Sequence, residues 1–269
     1  MIIKRIPLDK KFDNVYLDVY IADPTDNFTR KAILVIPGGG YHNVCSNREG
    51  EPIAMAFMPY GYNAFVLRYS VNGQKVFPGQ LIEASLAMKH IKDNAEEYNI
   101  DPEKIFVTGF SAGGHLAASL GILWHLPKVY EATGMEYGYN KPAGMMLAYP
   151  VISSDPSFAH KGSFQNLLGK EEPTLEELEK VSLEKHVDEK SVPLYLMHTS
   201  NDGLVPVKNA LALATAYAEA GKTFELHIYP DAPHGISLGN AITAGTTERF
   251  INSQVERWIQ DATIWANTL

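Results

Sequence analysis

The sequence predicts an α/β fold with a mostly parallel central sheet, formed by a single domain over residues 1–269. Short apolar runs alternate along the chain with helical stretches, which is the pattern of strand–helix units joined by right-handed crossovers. The runs are continuously apolar, as expected of parallel strands that helices cover on both faces. A chain of 269 residues is long enough for one large core, and neither a linker nor an internal repeat divides it.

The first predicted strand, residues 15–22, alternates apolar and polar side chains and is expected to be antiparallel. Continuous apolar runs predict six more strands, at residues 32–36, 64–68, 105–109, 144–149, 194–198 and 224–229. Five helices are predicted, one after Ser46, one over 78–98, one from Ser111, one over 206–221 and one from about 246 to 265. Ser46 and Glu49 have the spacing of a capping box, and Gly221 is a helix stop signal.

One segment interrupts this alternation. Residues 151–192 follow a strand but contain no apolar run of their own, and their second half is charged and helical in pattern. An insertion of this length in a compact domain is usually functional, often as a lid or a pocket wall. A solvated surface excursion is the alternative, and the sequence leaves both open.

Composition excludes several classes of protein. The net charge is −8 and there is no run of Lys and Arg, which argues against nucleic acid and against an acidic membrane surface. The single cysteine, Cys45, cannot form an internal disulfide, and the histidines show no zinc-site spacing. We expect no metal or organic cofactor. The first residues contain no signal-peptide pattern, and no apolar stretch is long enough to span a membrane, so the expected location is cytoplasmic.

The motif Gly109-Phe110-Ser111-Ala112-Gly113 lies between a predicted strand and an Ala-rich predicted helix. This is G-x-S-x-G, in which a sharp strand-to-helix turn exposes the serine oxygen at the carboxyl edge of the sheet. Ser111 is therefore the candidate nucleophile. The alternative is an ordinary turn with serine as the helix N-cap.

A serine hydroxyl needs an adjacent base, and on this kind of fold the order is serine, acid, histidine. His234 follows the last apolar strand in a loop rich in Pro and Gly, so it is the candidate base. The other eight histidines lie too early or within predicted strands and helices: His42, His90, His115, His125, His160, His186, His198 and His227. We interpret His115, one turn beyond Ser111, as a packing or capping residue.

The acid should follow the strand before the last one, where the sequence has Asp202 next to Gly203. Its predicted role is to accept the His234 proton that faces away from Ser111. Asp155, after the preceding strand, is the main competitor. Asp231 is too close to His234 in sequence to orient it easily. A plain turn or capping aspartate at position 202 is the structural alternative.

The motifs resemble those of the α/β-hydrolase superfamily, near the small microbial acetyl esterases and acetyl-xylan or xylo-oligosaccharide deacetylases. The matching pieces run in order through most of the chain: "PGGGY" (37–41), "REGEPIA" (48–54), "GFSAGGHLAASL" (109–120), "HTSNDGLVPV" (198–207) and "PDAPHGISL" (230–238). The resemblance implies an α/β-hydrolase fold and a triad of Ser111, Asp202 and His234.

It also implies that the backbone N–H groups of Gly39, Gly40 and Ala112 form an oxyanion hole. The glycine loop lacks the G-x-G-x-x-G and G-K-[ST] spacings of phosphate-binding loops. Two positions depart from many relatives. Pro37 replaces a histidine before the glycines, which leaves open how the loop is held. Glu83 stands where Asp is common, and we interpret it as a scaffold contact.

The activity implied by the resemblance is hydrolysis of a short-chain ester, with an acetylated sugar or oligosaccharide as the substrate. Tyr41 and Phe110 flank the loop and the nucleophile and could narrow an acyl pocket, although plain packing is the alternative. The competing hypotheses are a general short-chain carboxylesterase, a peptidase of the same fold, and a non-catalytic binding protein. Trp258 and Trp265 on the last predicted helix suit either the core or a homo-oligomer interface.

Overall fold

The central sheet has the predicted character. A computed structural model describes residues 1–25 and 27–269, and its strands are β1 (Ile2–Pro7), β2 (Tyr16–Ile21), β3 (Arg30–Ile36), β4 (Tyr62–Arg68), β5 (Ile100–Phe110), β6 (Met145–Ala148), β7 (Leu194–Thr199) and β8 (Phe224–Tyr229). These described strands form one sheet in the order β1-β2-β4-β3-β5-β6-β7-β8. β2 is antiparallel to both of its neighbours, and β3 to β8 run parallel. The mostly parallel α/β prediction is confirmed.

Helices cover both faces of this sheet. Within the described residues they are α1 (Ser46–Glu49), α2 (Glu51–Phe57), α3 (Gly79–Asp93), α4 (Ser111–Ile122), α5 (Pro127–Thr133), α6 (Lys161–Leu168), α7 (Leu175–Glu179), α8 (Lys208–Glu219), α9 (Ala241–Ala244) and α10 (Trp258–Ala266). The core beneath α3, α4 and α8 is separate from the core beneath α2 and α10.

Strand β3 explains why the apolar runs are continuous. Leu34 and Ile36 belong to the core on one face of the sheet, whereas Ile33 and Val35 belong to the core on the other face. Each such side chain contributes about 1.5–3 kcal/mol through burial, so both faces select apolar residues. Trp258 belongs to the second core and is fully buried, which answers whether this side chain serves the core or an interface.

Several elements differ from the prediction, and one of them is α5 (Pro127–Thr133), which was not predicted. β1 was not predicted, because it is an edge strand whose side chains are mostly exposed and carry little hydrophobic pattern. The helix expected over 78–98 ends at Asp93. The last helix begins at Trp258 rather than near 246, and short 3₁₀ turns at Glu248–Phe250 and Val255–Arg257 precede it.

The capping box expected at Ser46 and Glu49 is also wrong. Cys45 is the N-cap of α1 and makes no side-chain cap, and the Ser46 hydroxyl has no partner among the described residues. The chain breaks at Gly50, and α2 follows as a separate helix. The Glu49 side chain turns inward instead of capping the helix, because Glu49 finds two donors in the interior.

The insertion at 151–192 contains no strand, as predicted. Its second half is less helical than its charge pattern suggested, with α7 followed by a 3₁₀ turn at Leu183–His186. The segment is attached to the body of the protein at several points. The backbone N–H groups of Ile152 and Ser153 both donate to the Asn209 side chain of α8 (2.9 and 3.0 Å). Further along the segment, the Val181 carbonyl bonds His115 of α4 and the Asn166 side chain donates to the Gly40 carbonyl, and together these bonds favour a wall over a loose surface excursion.

Candidate active site at the carboxyl edge of the sheet

Ser111 occupies a strained turn between β5 and α4. Its φ is 52°, in the left-handed region that a serine rarely adopts. A Cβ on Gly109 would lie 2.3 Å from the Gly113 carbonyl oxygen, and a Cβ on Gly113 would lie 2.2 Å from the Ile36 carbonyl oxygen. Both glycines are therefore required by close backbone approach, which is the physical reason for the G-x-S-x-G spacing.

His234 joins the candidate nucleophile to the candidate acid. Its Nε2 lies 2.8 Å from the Ser111 Oγ, and its Nδ1 lies 2.7 Å from the Asp202 Oδ2. An ionised carboxylate can only accept, so the proton belongs on Nδ1 and Nε2 is free to accept from the serine hydroxyl. The structure brings the three predicted side chains into one hydrogen-bonded chain.

Asp202 is buried and held at its second oxygen. Its Oδ1 accepts from the backbone N–H groups of Leu204 and Val205, both at 2.9 Å. Burial acts to raise the pKa of Asp202, but the hydrogen bond and charge of His234, together with these two N–H groups, leave the pKa below its usual value. The carboxylate is thus kept ionised and aimed at the imidazole.

The other candidate residues lie elsewhere. Asp155 is exposed, and its carboxylate accepts from the backbone and hydroxyl of Ser157. Asp231 accepts from the Asn201 side chain. His115 is buried between the Tyr41 hydroxyl (2.9 Å) and the Val181 carbonyl (2.8 Å). Burial lowers the pKa of His115 to about 4, so it is a neutral packing residue, as interpreted from the sequence.

The glycine loop lies directly against the Ser111 turn. A Cβ on Gly38 would lie 2.9 Å from the Ser111 Cβ, so the loop can approach the serine only because this residue has no side chain. The Gly38 N–H donates to the Glu49 Oε2 (2.8 Å) and is not free for a ligand. The start of the loop is held despite the proline, because the Pro37 carbonyl accepts from the Tyr69 hydroxyl (2.8 Å).

The N–H groups of Gly39 and Gly40 are oriented by the hydrogen bonds that the carbonyl oxygens of the same two peptide groups accept. The Gly38 carbonyl accepts from the Cys45 N–H, and the Gly39 carbonyl accepts from the N–H groups of His42 and Asn43. In a trans peptide the C=O and N–H point in opposite directions, so these bonds turn the Gly39 and Gly40 N–H groups away from residues 42–45. Neither N–H donates to another described residue.

Gly40 also meets the insertion. Its φ is 65°, and among the described residues only the Ser163 Oγ would lie within 4 Å of a Cβ built on it, at 3.9 Å. The Asn166 side chain donates to the Gly40 carbonyl (2.8 Å). Helix α6 therefore forms a wall beside the glycine loop and fixes the peptide that follows Gly40.

Ala112 is the second residue of α4, where backbone N–H groups have no partner within the helix. Its N–H therefore remains available beside Ser111, on the side of the turn that the helix dipole makes favourable for negative charge. With the amides of Gly39 and Gly40, the edge of the sheet presents donors suited to a negatively charged oxygen.

The expectation for Tyr41 and Phe110 requires correction. Tyr41 is 1% exposed, and its hydroxyl is bonded to His115. Phe110 is fully buried, with its ring against Tyr149 and Trp258. Neither ring can line a substrate pocket, so the packing alternative describes both residues. Glu83 behaves as the predicted scaffold contact, because its buried carboxylate accepts from Ser70 and pairs with Lys75.

Sequence reasoning missed His160. This half-buried side chain of the insertion bonds Ser163 (2.8 Å), which borders Gly40. Burial lowers the pKa of His160, and the nearby charge of His234 lowers it further. No sequence pattern signals this placement, because only the folded insertion brings His160 near the other site residues.

Two cavities flank this edge of the sheet. One, of about 710 Å³, is bordered by His234, Gly203, Leu204, Arg249 and Asn252, on the loops after β7 and β8 and before α10. The other, of about 680 Å³, is lined by residues between 153 and 185 and by Ala212 of α8, and its lining includes the residues on both sides of His160. The first of these cavities leaves space for a ligand beside the His234 imidazole. No helix in the described residues is long and apolar enough to cross a bilayer.

The sheet order, the strained serine turn and the position of the histidine loop define the α/β-hydrolase class. The chain belongs to the BD-FAE family, whose model matches residues 17–217.

Among its relatives is endo-1,4-beta-xylanase B of Butyrivibrio fibrisolvens, 39% identical over 80% of this chain and 34% of that protein. Another is the acetylxylan esterase of Xylanibacter ruminicola, 31% identical over 80% of this chain and 42% of that protein. The chain thus spans well under half the length of these two relatives. The acetyl ester-xyloside bifunctional hydrolase of Caldicellulosiruptor lactoaceticus is a similar solved structure, with TM-score 0.83 and 33% identity over 98% of this chain and 96% of that one.

Proposed function

We propose that the chain is a serine esterase that hydrolyses short-chain esters, with acetyl groups on carbohydrate as its substrate class. The observation that carries this proposal is the hydrogen-bonded chain from Ser111 through His234 to Asp202. The names of two similar proteins, an acetylxylan esterase and an acetyl ester-xyloside bifunctional hydrolase, support the acetyl and sugar parts of the assignment.

The proposed reaction has two halves. In the first, Ser111 Oγ attacks the ester carbonyl while His234 Nε2 takes the hydroxyl proton, and His234 then gives that proton to the leaving alcohol. In the second, His234 takes a proton from water, which attacks the acyl-enzyme, and returns it to Ser111 as the carboxylic acid leaves. The amides of Gly39, Gly40 and Ala112 hold the negative oxygen in both halves, and such a donor is typically worth about 10²–10³ in turnover.

Ser111→Ala tests the nucleophile. We expect turnover of p-nitrophenyl acetate to fall by about 10⁴-fold or more, because the triad acts as a unit. The matched control is Ser119→Ala on the same helix, where the hydroxyl only donates to the His115 carbonyl, and this variant should keep its activity. Thermal unfolding of both variants checks that they are folded. Full activity in folded Ser111→Ala would contradict the serine mechanism.

Acyl-chain preference tests the substrate class. Initial rates on p-nitrophenyl acetate should exceed those on the octanoate, and acetate should be released from acetylated xylo-oligosaccharides in a Ser111-dependent way. Preference for octanoate, or equal rates without deacetylation of the oligosaccharide, would favour a general carboxylesterase. Cleavage of peptide but not ester substrates would favour the peptidase alternative. No hydrolysis of any of these substrates by the unaltered protein would favour a binding role.

A further inference from the structure

The mechanism above makes no use of a second buried carboxylate beside the site. Glu49 ends the short helix α1 and is 5% exposed. Its Oε2 accepts from the Gly38 N–H, and its Oε1 accepts from the Tyr149 hydroxyl, both at 2.8 Å. One side chain therefore links the glycine loop after β3 to the residue that follows β6.

Tyr149 continues this link to the histidine loop. Its hydroxyl accepts from the backbone N–H of Ser237 (3.1 Å), three residues after His234. The Tyr149 ring packs edge-on against the imidazole, with centroids 5.1 Å apart and planes at 70°. Tyr149 also has a positive φ of 38°, an unfavourable conformation for a tyrosine that the surrounding contacts must stabilise.

Arg48, the residue before Glu49, holds the same histidine loop through its carbonyl and its side chain. The Ser237 hydroxyl donates to the Arg48 carbonyl (2.6 Å), and the Arg48 guanidinium donates to the Gly235 carbonyl. α1 thus contacts the glycine loop on one side and both residues that flank Ile236 on the other. Movement of either loop would break bonds to this one helical turn.

Burial makes the ionised form of the Glu49 carboxylate unfavourable. Burial raises its pKa, although the bonds from Tyr149 and Gly38 and the charges of His234 and Arg48 oppose that effect. Glu83, the other buried glutamate discussed above, is compensated by an ion pair with Lys75 at 2.9 Å. Glu49 forms no ion pair with any described residue and depends on two hydrogen-bond donors. An apolar side chain would be cheaper if only packing mattered.

We propose that Glu49 is a positioning residue that couples the oxyanion loop to the catalytic histidine through Tyr149. The inference rests on the proposed function. Glu49 fixes Gly38, and with it the peptides that carry the Gly39 and Gly40 amides. Through Tyr149 it fixes the face of the imidazole and the backbone at Ser237. The two halves of the site, the oxyanion donors and the proton carrier, are thereby held in one geometry.

Glu49→Gln is the test with the least change in shape. An amide has one acceptor oxygen. If that oxygen accepts from the Gly38 N–H, the NH₂ faces the Tyr149 hydroxyl, which already accepts from Ser237 and loses the acceptor for its own proton. We expect kcat on p-nitrophenyl acetate to fall by about 10- to 100-fold, the range that small misplacement of reacting groups produces, with KM changed by less than about threefold. Tyr149→Phe keeps the ring against His234 but removes the hydroxyl, and it should lower kcat in the same direction.

A boronic acid that bonds to Ser111 supplies a readout that a merely structural role would not change. Its adduct places an oxygen among the oxyanion donors, so its affinity should fall in Glu49→Gln in parallel with kcat. The losses in the Glu49→Gln and Tyr149→Phe double variant should be smaller than the product of the single losses, because both changes break the same bond.

Glu83→Gln is the matched control, since it also alters a buried carboxylate that accepts from a backbone N–H. It should lower the melting temperature but leave kcat of the folded enzyme unchanged. Unchanged kcat in folded Tyr149→Phe or Glu49→Gln would overturn the inference, as would an equal loss in Glu83→Gln. If the unaltered protein shows no Ser111-dependent ester hydrolysis, the proposed function fails instead, and the two failures are therefore distinguishable.

Discussion

The segments that follow β6 and β7 start from neighbouring parallel strands at the same edge of the sheet, yet they contribute differently to the site. After β7, a short loop leads to α8 and places the Asp202 carboxylate on His234. After β6, residues 151–192 form a long segment before the chain enters β7. The aspartate near the start of this segment, Asp155, is exposed.

The physical difference lies in how the two carboxylates are satisfied. One carboxylate oxygen of Asp202 accepts from two backbone N–H groups of its own tight turn, and the other oxygen accepts from His234. Asp155 satisfies its carboxylate locally, on the backbone and hydroxyl of Ser157. The short loop after β7 places its acid on the histidine, whereas the long segment after β6 contributes through α6, where the Asn166 side chain donates to the Gly40 carbonyl.

The largest expected effect comes from the short loop. Asp202→Asn should reduce kcat on p-nitrophenyl acetate by about 10⁴-fold, because the amide no longer selects the proton on His234 Nδ1. The variant should fold, since Asn can still accept from Leu204 and Val205. Steady-state kinetics with a thermal melt check both expectations. Loss of less than about tenfold would show that the histidine does not depend on this acid.

A smaller effect is expected from the long segment. Asn166→Ala removes one neutral hydrogen bond to the Gly40 carbonyl, a contribution of about 0.5–1.5 kcal/mol, so kcat should fall by about tenfold at most. Gln165→Ala is the control on the same helix, because its side chain bonds the Glu171 carbonyl instead. If both variants lose activity equally, the effect comes from α6 as a whole and not from the contact with Gly40.

The smallest effect should come from Asp155→Asn. The side chain is exposed and contacts only its own turn, so kcat should stay within about twofold of the unaltered protein, as for most surface substitutions. The measurement is the same kinetic assay as for Asp202→Asn. A loss comparable to that of Asp202→Asn would reverse the comparison and return Asp155 to its place as the competing acid.

The fold was predictable where the pattern was strong. Continuous apolar runs located β3 to β8 because parallel strands bury both faces, but the exposed edge strand β1 has no such signature. The Glu49 misassignment is instructive, because its capping-box spacing with Ser46 is a local pattern, while the donors that it meets, Gly38 and Tyr149, are 11 and 100 residues away. The pocket expectation for Tyr41 and Phe110 was wrong for the same reason, since adjacency in sequence does not decide which way a ring packs.

The sequence by itself determined the α/β class, the strand-to-helix turn at Ser111 and the loops that contain Asp202 and His234, because these follow from local periodicity and backbone requirements. Tertiary structure decided that Ser163 and Asn166 border the glycine loop, with His160 bonded to Ser163, and that Glu49 and Tyr149 join two loops from distant strands. Local rules act over a few residues, whereas the burial of a carboxylate and the orientation of a loop amide depend on partners that only the closed sheet brings within hydrogen-bonding distance.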